Sequence, residues 1–87
     1  MQISIEISLY PLAETQYKDE IWAFIDRLNG VDGLKVVTNG MSTQVFGDYD
    51  LAVAHVMAEI KQVHQTLGAA VFVCKFIGGD RSQTEPR

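Results

Sequence analysis

The chain has 87 residues, 47% of them hydrophobic and 21% charged, with seven glycines and two prolines. This is the composition of one small globular domain, which excludes a disordered or collagen-like chain. Seven basic against eleven acidic residues give a net charge of −4, which argues against a nucleic-acid surface and is compatible with a cationic small ligand.

The longest apolar run falls far short of the roughly 18 residues a membrane span needs. No basic region followed by an apolar block opens the sequence, so no secretory signal is expected. The single cysteine, Cys74, excludes an intramolecular disulfide and a multi-cysteine metal knuckle. Together these features favour the cytoplasm. A chain this short buries only about 60–65% of its unfolded surface, so a homo-oligomer is the expectation.

Residues 2–10 alternate strictly, with Ile3, Ile5, Ile7 and Leu9 on one side and Gln2, Ser4, Glu6, Ser8 and Tyr10 on the other. Period two marks a half-buried strand, and Pro11, lacking an amide hydrogen, ends it. Residues 15–29 change to a helical period, with Tyr17, Ile21, Phe24, Ile25 and Leu28 on one stripe. Thr15 is a fair N-cap, Asp19 and Glu20 suit the positive end of the helix dipole, and Asn29-Gly30 stops the helix.

Residues 34–46 read as a hairpin around Asn39-Gly40, a dipeptide that tolerates positive φ at both positions. A two-residue turn there sets Thr38 opposite Met41, Val36 opposite Thr43 and Leu34 opposite Val45. Those six share one face, and Lys35, Val37, Ser42, Gln44 and Phe46 share the other. Asp48 or Asp50 then caps a second helix with the stripe Val53, Val56, Met57, Ile60, His64 and Leu67, closed by Gly68. Residues 69–78 form a last strand, Phe72, Cys74 and Phe76 against Val71, Val73, Lys75 and Ile77. The stretch from Gly79 to Arg87 reads as a loose polar tail following a domain of residues 1–78.

The order β-α-β-β-α-β predicts an α+β fold, a ferredoxin-like sandwich with an antiparallel sheet in spatial order 4-1-3-2 and both helices on one face. The isoleucine face of the first strand then meets the helices. The other face, polar in the middle and apolar towards the fourth strand, stays open, and a second subunit is expected to cover it, with a polar ligand pocket left inside or beside the contact.

A search for catalytic groups finds little. His55 and His64 point to opposite sides of their helix and cannot share a metal. His64 reads as an imidazole at the core edge, and Cys74 as a structural thiol. Ser42-Thr43 has no histidine or lysine near it in sequence, and no glycine-rich phosphate loop is present. Trp22 lies roughly 120° from the centre of its helix stripe, so it is either a flank over the sheet edge, a subunit contact or a wall on which a ligand stacks.

In the 4-1-3-2 arrangement the end of the first strand lies beside the start of the third. This gathers Ser8, Tyr10, Ser42 and Thr43, with Glu6 and Gln44 one step further in. Such a set suits a heterocycle with mixed donors and acceptors, or is simply a solvated sheet face. Glu6 either balances a cation or pairs with Lys75 across the sheet.

The opening strand Ile5-Glu6-Ile7-Ser8-Leu9-Tyr10-Pro11-Leu12 resembles the start of the thiamine/hydroxymethylpyrimidine-binding YkoF-like family. So does the block from Gly40 to Gly47, GMSTQVFG, followed by Asp48 and a helix. The resemblance spans residues 3–78 and implies non-catalytic binding of thiamine or its hydroxymethylpyrimidine precursor, without a cofactor. It also implies face-to-face packing of sheets. Family members of the YkoF type carry two repeats, and this chain carries one, so a homodimer or dimer of dimers is implied. The matching segments supply Glu6, Ser8, Tyr10, Ser42, Thr43 and Gln44. In this reading Tyr10 or Trp22 stacks on a ring, and Glu6 or Asp48 compensates the thiazolium charge. Thr43 faces inward and reaches a ligand only from a pocket between sheet and helices. The rivals are an assembly module whose open sheet is only a subunit contact, and a small enzyme acting on thiamine precursors.

Overall fold

A computed structural model describes residues 1–12 and 17–83. Its elements are β1 (Gln2–Pro11), α1 (Tyr17–Asn29), β2 (Lys35–Thr38), β3 (Thr43–Asp48), α2 (Tyr49–Leu67) and β4 (Ala70–Gly78). Thr15, read as the cap of α1, lies outside the described residues. The strands form one antiparallel sheet in the order β2-β3-β1-β4, the expected ferredoxin-like α+β arrangement.

The alternation of β1 sorts its side chains as expected. Ile3, Ile5 and Ile7 are buried and share one core with Val45 of β3, Phe24, Ile25 and Leu28 of α1, and Val56, Ile60 and Val63 of α2. Both helices therefore lie on the isoleucine face. Arg27 of α1 joins them at the surface, reaching Glu59 of α2 and Glu20 of its own helix. Gly47 has no room for a side chain: a Cβ there would stand 2.7 Å from the Gly33 carbonyl oxygen and 2.7 Å from Leu34 Cδ2. The β2 entry loop can thus press directly on β3.

The helix ends follow the capping residues. The Asp48 carboxylate accepts from the Leu51 amide at 3.2 Å, and Gly68, at φ 74°, returns its amide to the His64 carbonyl at 2.9 Å. The buried stripe of α2 is rotated from the expected one. Ala52, Val56, Ile60 and Val63 are buried, whereas Met57 and His64 are exposed. Spacings of four, four and three keep the buried set on one narrow face, and Ala52 occupies it because a small side chain fits against the sheet.

The β2–β3 hairpin departs from the expected register by two residues. Thr38 pairs with Thr43 and Val36 with Val45. The loop is Asn39 to Ser42, not a two-residue turn, and Gly40 does not adopt positive φ. Its cause is the Asn39 side chain, whose Oδ1 accepts from the amides of Met41 (2.8 Å) and Ser42 (3.2 Å) and stands in for a tighter backbone turn. A slip of two preserves the pleat, so the division into faces is unchanged.

The stretch after β4, expected to be a loose tail from Gly79, begins with residues fixed to β1. The Gly79 amide donates to the Gln2 carbonyl at 2.9 Å. Ser4 Oγ donates to the Gly79 carbonyl and accepts from the Arg81 amide, both at 2.8 Å. This contact buries Ser4, which the alternation of β1 had placed on the open face.

Candidate ligand-binding site

The residues grouped by the sequence divide between two cavities on opposite faces of the sheet. The larger, about 420 Å³, opens between the sheet and α1. Ile7, Phe24, Ile25 and Ile21 form its apolar floor, and Ser8 and Leu9 line it from the end of β1. Trp22 and Lys18 line it from α1, and Thr38 to Thr43 line it from the hairpin. The smaller, about 280 Å³, lies on the open face and includes Glu6, Gln44, Phe46, Lys75, Ile77 and Arg81.

Register explains both the gathering and the division. Ile7 pairs with Thr43 at the start of β3, so the end of β1 and the hairpin loop meet as expected. The pleat then sends Thr43 inward, where it is buried, while Glu6 and Gln44, paired with each other, face the open side. Thr43 thus meets the condition set by its inward orientation, since the cavity does lie between sheet and helix. Trp22 is 58% exposed and stands at the cavity mouth, with Met41 of the hairpin loop also exposed there.

The remaining expected residues lie elsewhere. Tyr10 is exposed beyond the end of β3, opposite Val71, and lines neither cavity. Asp48 pairs with Gln2 at the other end of the β1–β3 ladder and is engaged as the cap of α2. Lys18, Thr38 and Asn39 line the larger cavity although the sequence reading did not select them. Only the docking of α1 against the hairpin loop brings them in. The one usable signal was the hairpin itself, whose Thr38 must follow its partner Thr43 in any register of the same parity.

The hydroxyls of the larger cavity are partly committed. Thr38 Oγ1 and Thr43 Oγ1 lie 3.0 Å apart; whichever donates, the acceptor keeps its own O–H for a ligand. Ser42 Oγ donates to Glu6 Oε2 at 3.0 Å, so its side chain is turned to the open face even though the residue borders the cavity. Asn39 has spent its carbonyl oxygen on the loop, which leaves its amide N–H groups as donors. The site therefore offers donors and acceptors beside an indole and an apolar floor.

On the open face the charges are turned towards each other. Glu6 accepts from Ser42 and lies 3.4 Å from Lys75 Nζ, its cross-strand partner. These hydrogen bonds, that of Ser42 foremost, hold the Glu6 carboxyl below its ordinary pKa. Cys74 is half-buried on the helix side, and burial raises its thiol pKa, as befits a packing residue. His64 stands edge-on to Phe72 with Nε2 3.0 Å from the Ala70 carbonyl. Among the described residues no three His, Cys, Asp or Glu side chains converge as a metal site.

No family model matches the sequence, and no curated protein is significantly similar to it. Solved structures share the fold. A crystal structure from Streptococcus pneumoniae superposes with a TM-score of 0.83 at 18% identity, covering 94% of this chain and 91% of that one. A hypothetical protein of Methanocaldococcus jannaschii gives 0.77 at 23% identity, over 94% and 84% of the two chains. A Thermotoga maritima protein, provisionally assigned to thiamine biosynthesis or salvage, gives 0.75 at 17% identity over 87% and 82%. At these identities the likeness is one of fold. It extends over nearly the whole of each chain, so the arrangement of α1 and the hairpin around the sheet belongs to a shared architecture.

Proposed function

We propose that the chain binds thiamine or its hydroxymethylpyrimidine precursor without transforming it, and that the ligand occupies the cavity between α1 and the β2–β3 hairpin. One observation carries this reading: an exposed indole stands beside the Thr38–Thr43 hydroxyls and the Asn39 amide, which keep hydrogen-bonding capacity to spare. An aminopyrimidine is flat, apolar on its faces and edged with donors and acceptors, so it matches both parts. The two segments that resemble the YkoF-like family border this cavity, and a structural neighbour is provisionally linked to the same vitamin. In this reading residues 1–78 act as one binding domain of a cytoplasmic protein. Among the described residues no helix is long and apolar enough to cross a membrane.

A second reading has its own support. Val71, Val73 and Ile77 of β4 and Val37 of β2 are all exposed on the face no helix covers. A chain that serves as an assembly module would stack these faces in a homodimer or dimer of dimers and need no ligand. The two readings are compatible, and the same experiment weighs them.

Thermal melting at fixed protein concentration, with and without millimolar thiamine or hydroxymethylpyrimidine, tests the binding reading. Ligand at 100 times its dissociation constant stabilises the native state by about 2.7 kcal/mol. In a domain of this size that raises Tm by about 10 °C or more. No shift and no calorimetric heat with either compound would leave the assembly module as the better account.

A further inference from the structure

We propose that the helix-side cavity selects its ligand by charge, and that its preferred occupant is an aminopyrimidine bearing an anionic phosphate ester, not cationic thiamine. The proposal rests on the ligand class put forward above and narrows it. Among the described residues that line the cavity, Lys18 alone carries a full charge. Lys18 stands in the first turn of α1, is exposed, and has no ion-pair partner among the described residues.

Asp19, next to Lys18 in sequence, is exposed and does not line the cavity, and other carboxylates are committed elsewhere. Glu20 is paired with Arg27. Glu6 lies across the sheet, bound to Ser42 and Lys75. Asp48 caps α2 at the opposite end of the β1–β3 ladder. A thiazolium ring placed here would therefore meet an ammonium group and, among the described lining residues, no carboxylate. An ester phosphate would meet that ammonium as a charge-assisted hydrogen-bond partner.

The neutral part of the ligand finds its complement in the same place. A hydroxyl oxygen of the Thr38–Thr43 pair accepts from an exocyclic amino group. The free hydroxyl of the Thr38–Thr43 pair donates to a ring nitrogen. Ring recognition and charge selection thus come from different residues, and a substitution at Lys18 separates them.

Trp22 is the only tryptophan of the chain and lines the cavity, so its fluorescence reports occupancy of this site. Titrations with hydroxymethylpyrimidine, its phosphate ester, thiamine and inorganic phosphate give the test. The ester is expected to bind at least about tenfold more tightly than the free alcohol, and thiamine more weakly than the alcohol. Added salt should weaken the ester selectively. Lys18→Gln should reduce the ester's advantage to about twofold or less, and Lys18→Glu should reverse the order so that thiamine binds more tightly than the ester. Both variants should melt with the parent protein, because Lys18 is exposed and has no ion-pair partner among the described residues.

Thiamine binding as tightly as the ester in the parent chain, or an ester advantage that survives Lys18→Gln, would overturn the charge selection while leaving the ligand class standing. Inorganic phosphate matching the ester would overturn it too, since the site would then bind an anion only. No response to any pyrimidine would overturn the ligand class and the selection together.

Discussion

The two cavities of this small sheet contain similar residue types and differ in what those residues have left to offer. On the open face, Glu6 is engaged by Ser42 and Lys75, and Ser4 is saturated by the backbone of Gly79 and Arg81. On the helix side, the Thr38–Thr43 pair and Asn39 each keep a donor or acceptor beyond what the fold uses. A polar patch becomes a binding site through its unspent hydrogen-bonding capacity and a wall that excludes water. Polarity alone does not suffice. The apolar floor of Phe24 and Ile7 supplies that wall on the helix side.

Phe24→Ala breaks the comparison most directly. Phe24 is almost fully buried, floors the helix-side cavity and packs on Phe72 with ring centroids 5.6 Å apart. Its truncation should cost about 3–5 kcal/mol of stability, measured by denaturant unfolding. The same change deepens the cavity, so any ligand response of Trp22 should weaken with it. The open face should keep its amide-exchange protection up to the lowered global stability. Selective loss of protection at Gly79 and Arg81 would mean that the two faces are coupled through the sheet.

Ser4→Ala addresses the other face. It leaves the Arg81 amide and the Gly79 carbonyl without their partner, at a cost of about 1–3 kcal/mol if they stay buried and less if the tail lifts into water. Hydrogen exchange at the Arg81 amide distinguishes these outcomes, and release is expected, with faster exchange confined to the segment after β4. Ligand binding on the helix side should be unaffected, because β1 turns Ser4 away from that cavity.

How much of this was legible in the sequence depends on the range of the interaction that decides it. The alternation of Ile3, Ile5 and Ile7 and the change of period at α1 set the element order, the strand order and the buried face, because solvent exclusion acts at every residue of these stretches. The hairpin register was not legible. It turns on one local competition, in which the Asn39 side chain replaces a backbone turn. The candidate site was legible along the strands and illegible across them. Position brings Glu6, Ser8, Ser42, Thr43 and Gln44 to one end of the β1–β3 pair, while the pleat separates Glu6 and Gln44 from Thr43. Lys18 and Asn39 join Thr43 only through packing of α1 on the loop, and no pattern within either segment encodes that contact. Trp22 was singled out because it breaks its helix stripe, and the same departure places it at the cavity mouth.

The smallest expected effect concerns the residue that touches both regions. Glu6 belongs to the open face, and its acceptance of the Ser42 proton ties it to the hairpin loop that borders the helix-side cavity. The Ser42 and Lys75 hydrogen bonds lower its folded pKa below the ordinary value of 4.5. A depressed carboxyl binds protons more readily in the unfolded chain than in the folded one. Its contribution to stability is therefore complete above the unfolded value and is lost as pH falls through the folded value. Glu6→Gln should flatten this part of the acid limb of the stability–pH curve and leave stability at neutral pH little changed, because the carboxylate and Lys75 are solvent-exposed and screened. An acid limb identical in the two proteins would show that the carboxylate is not held by its neighbours in solution. In that case the Ser42 hydroxyl would be free of Glu6, and β1 would lose its side-chain tie to the hairpin loop.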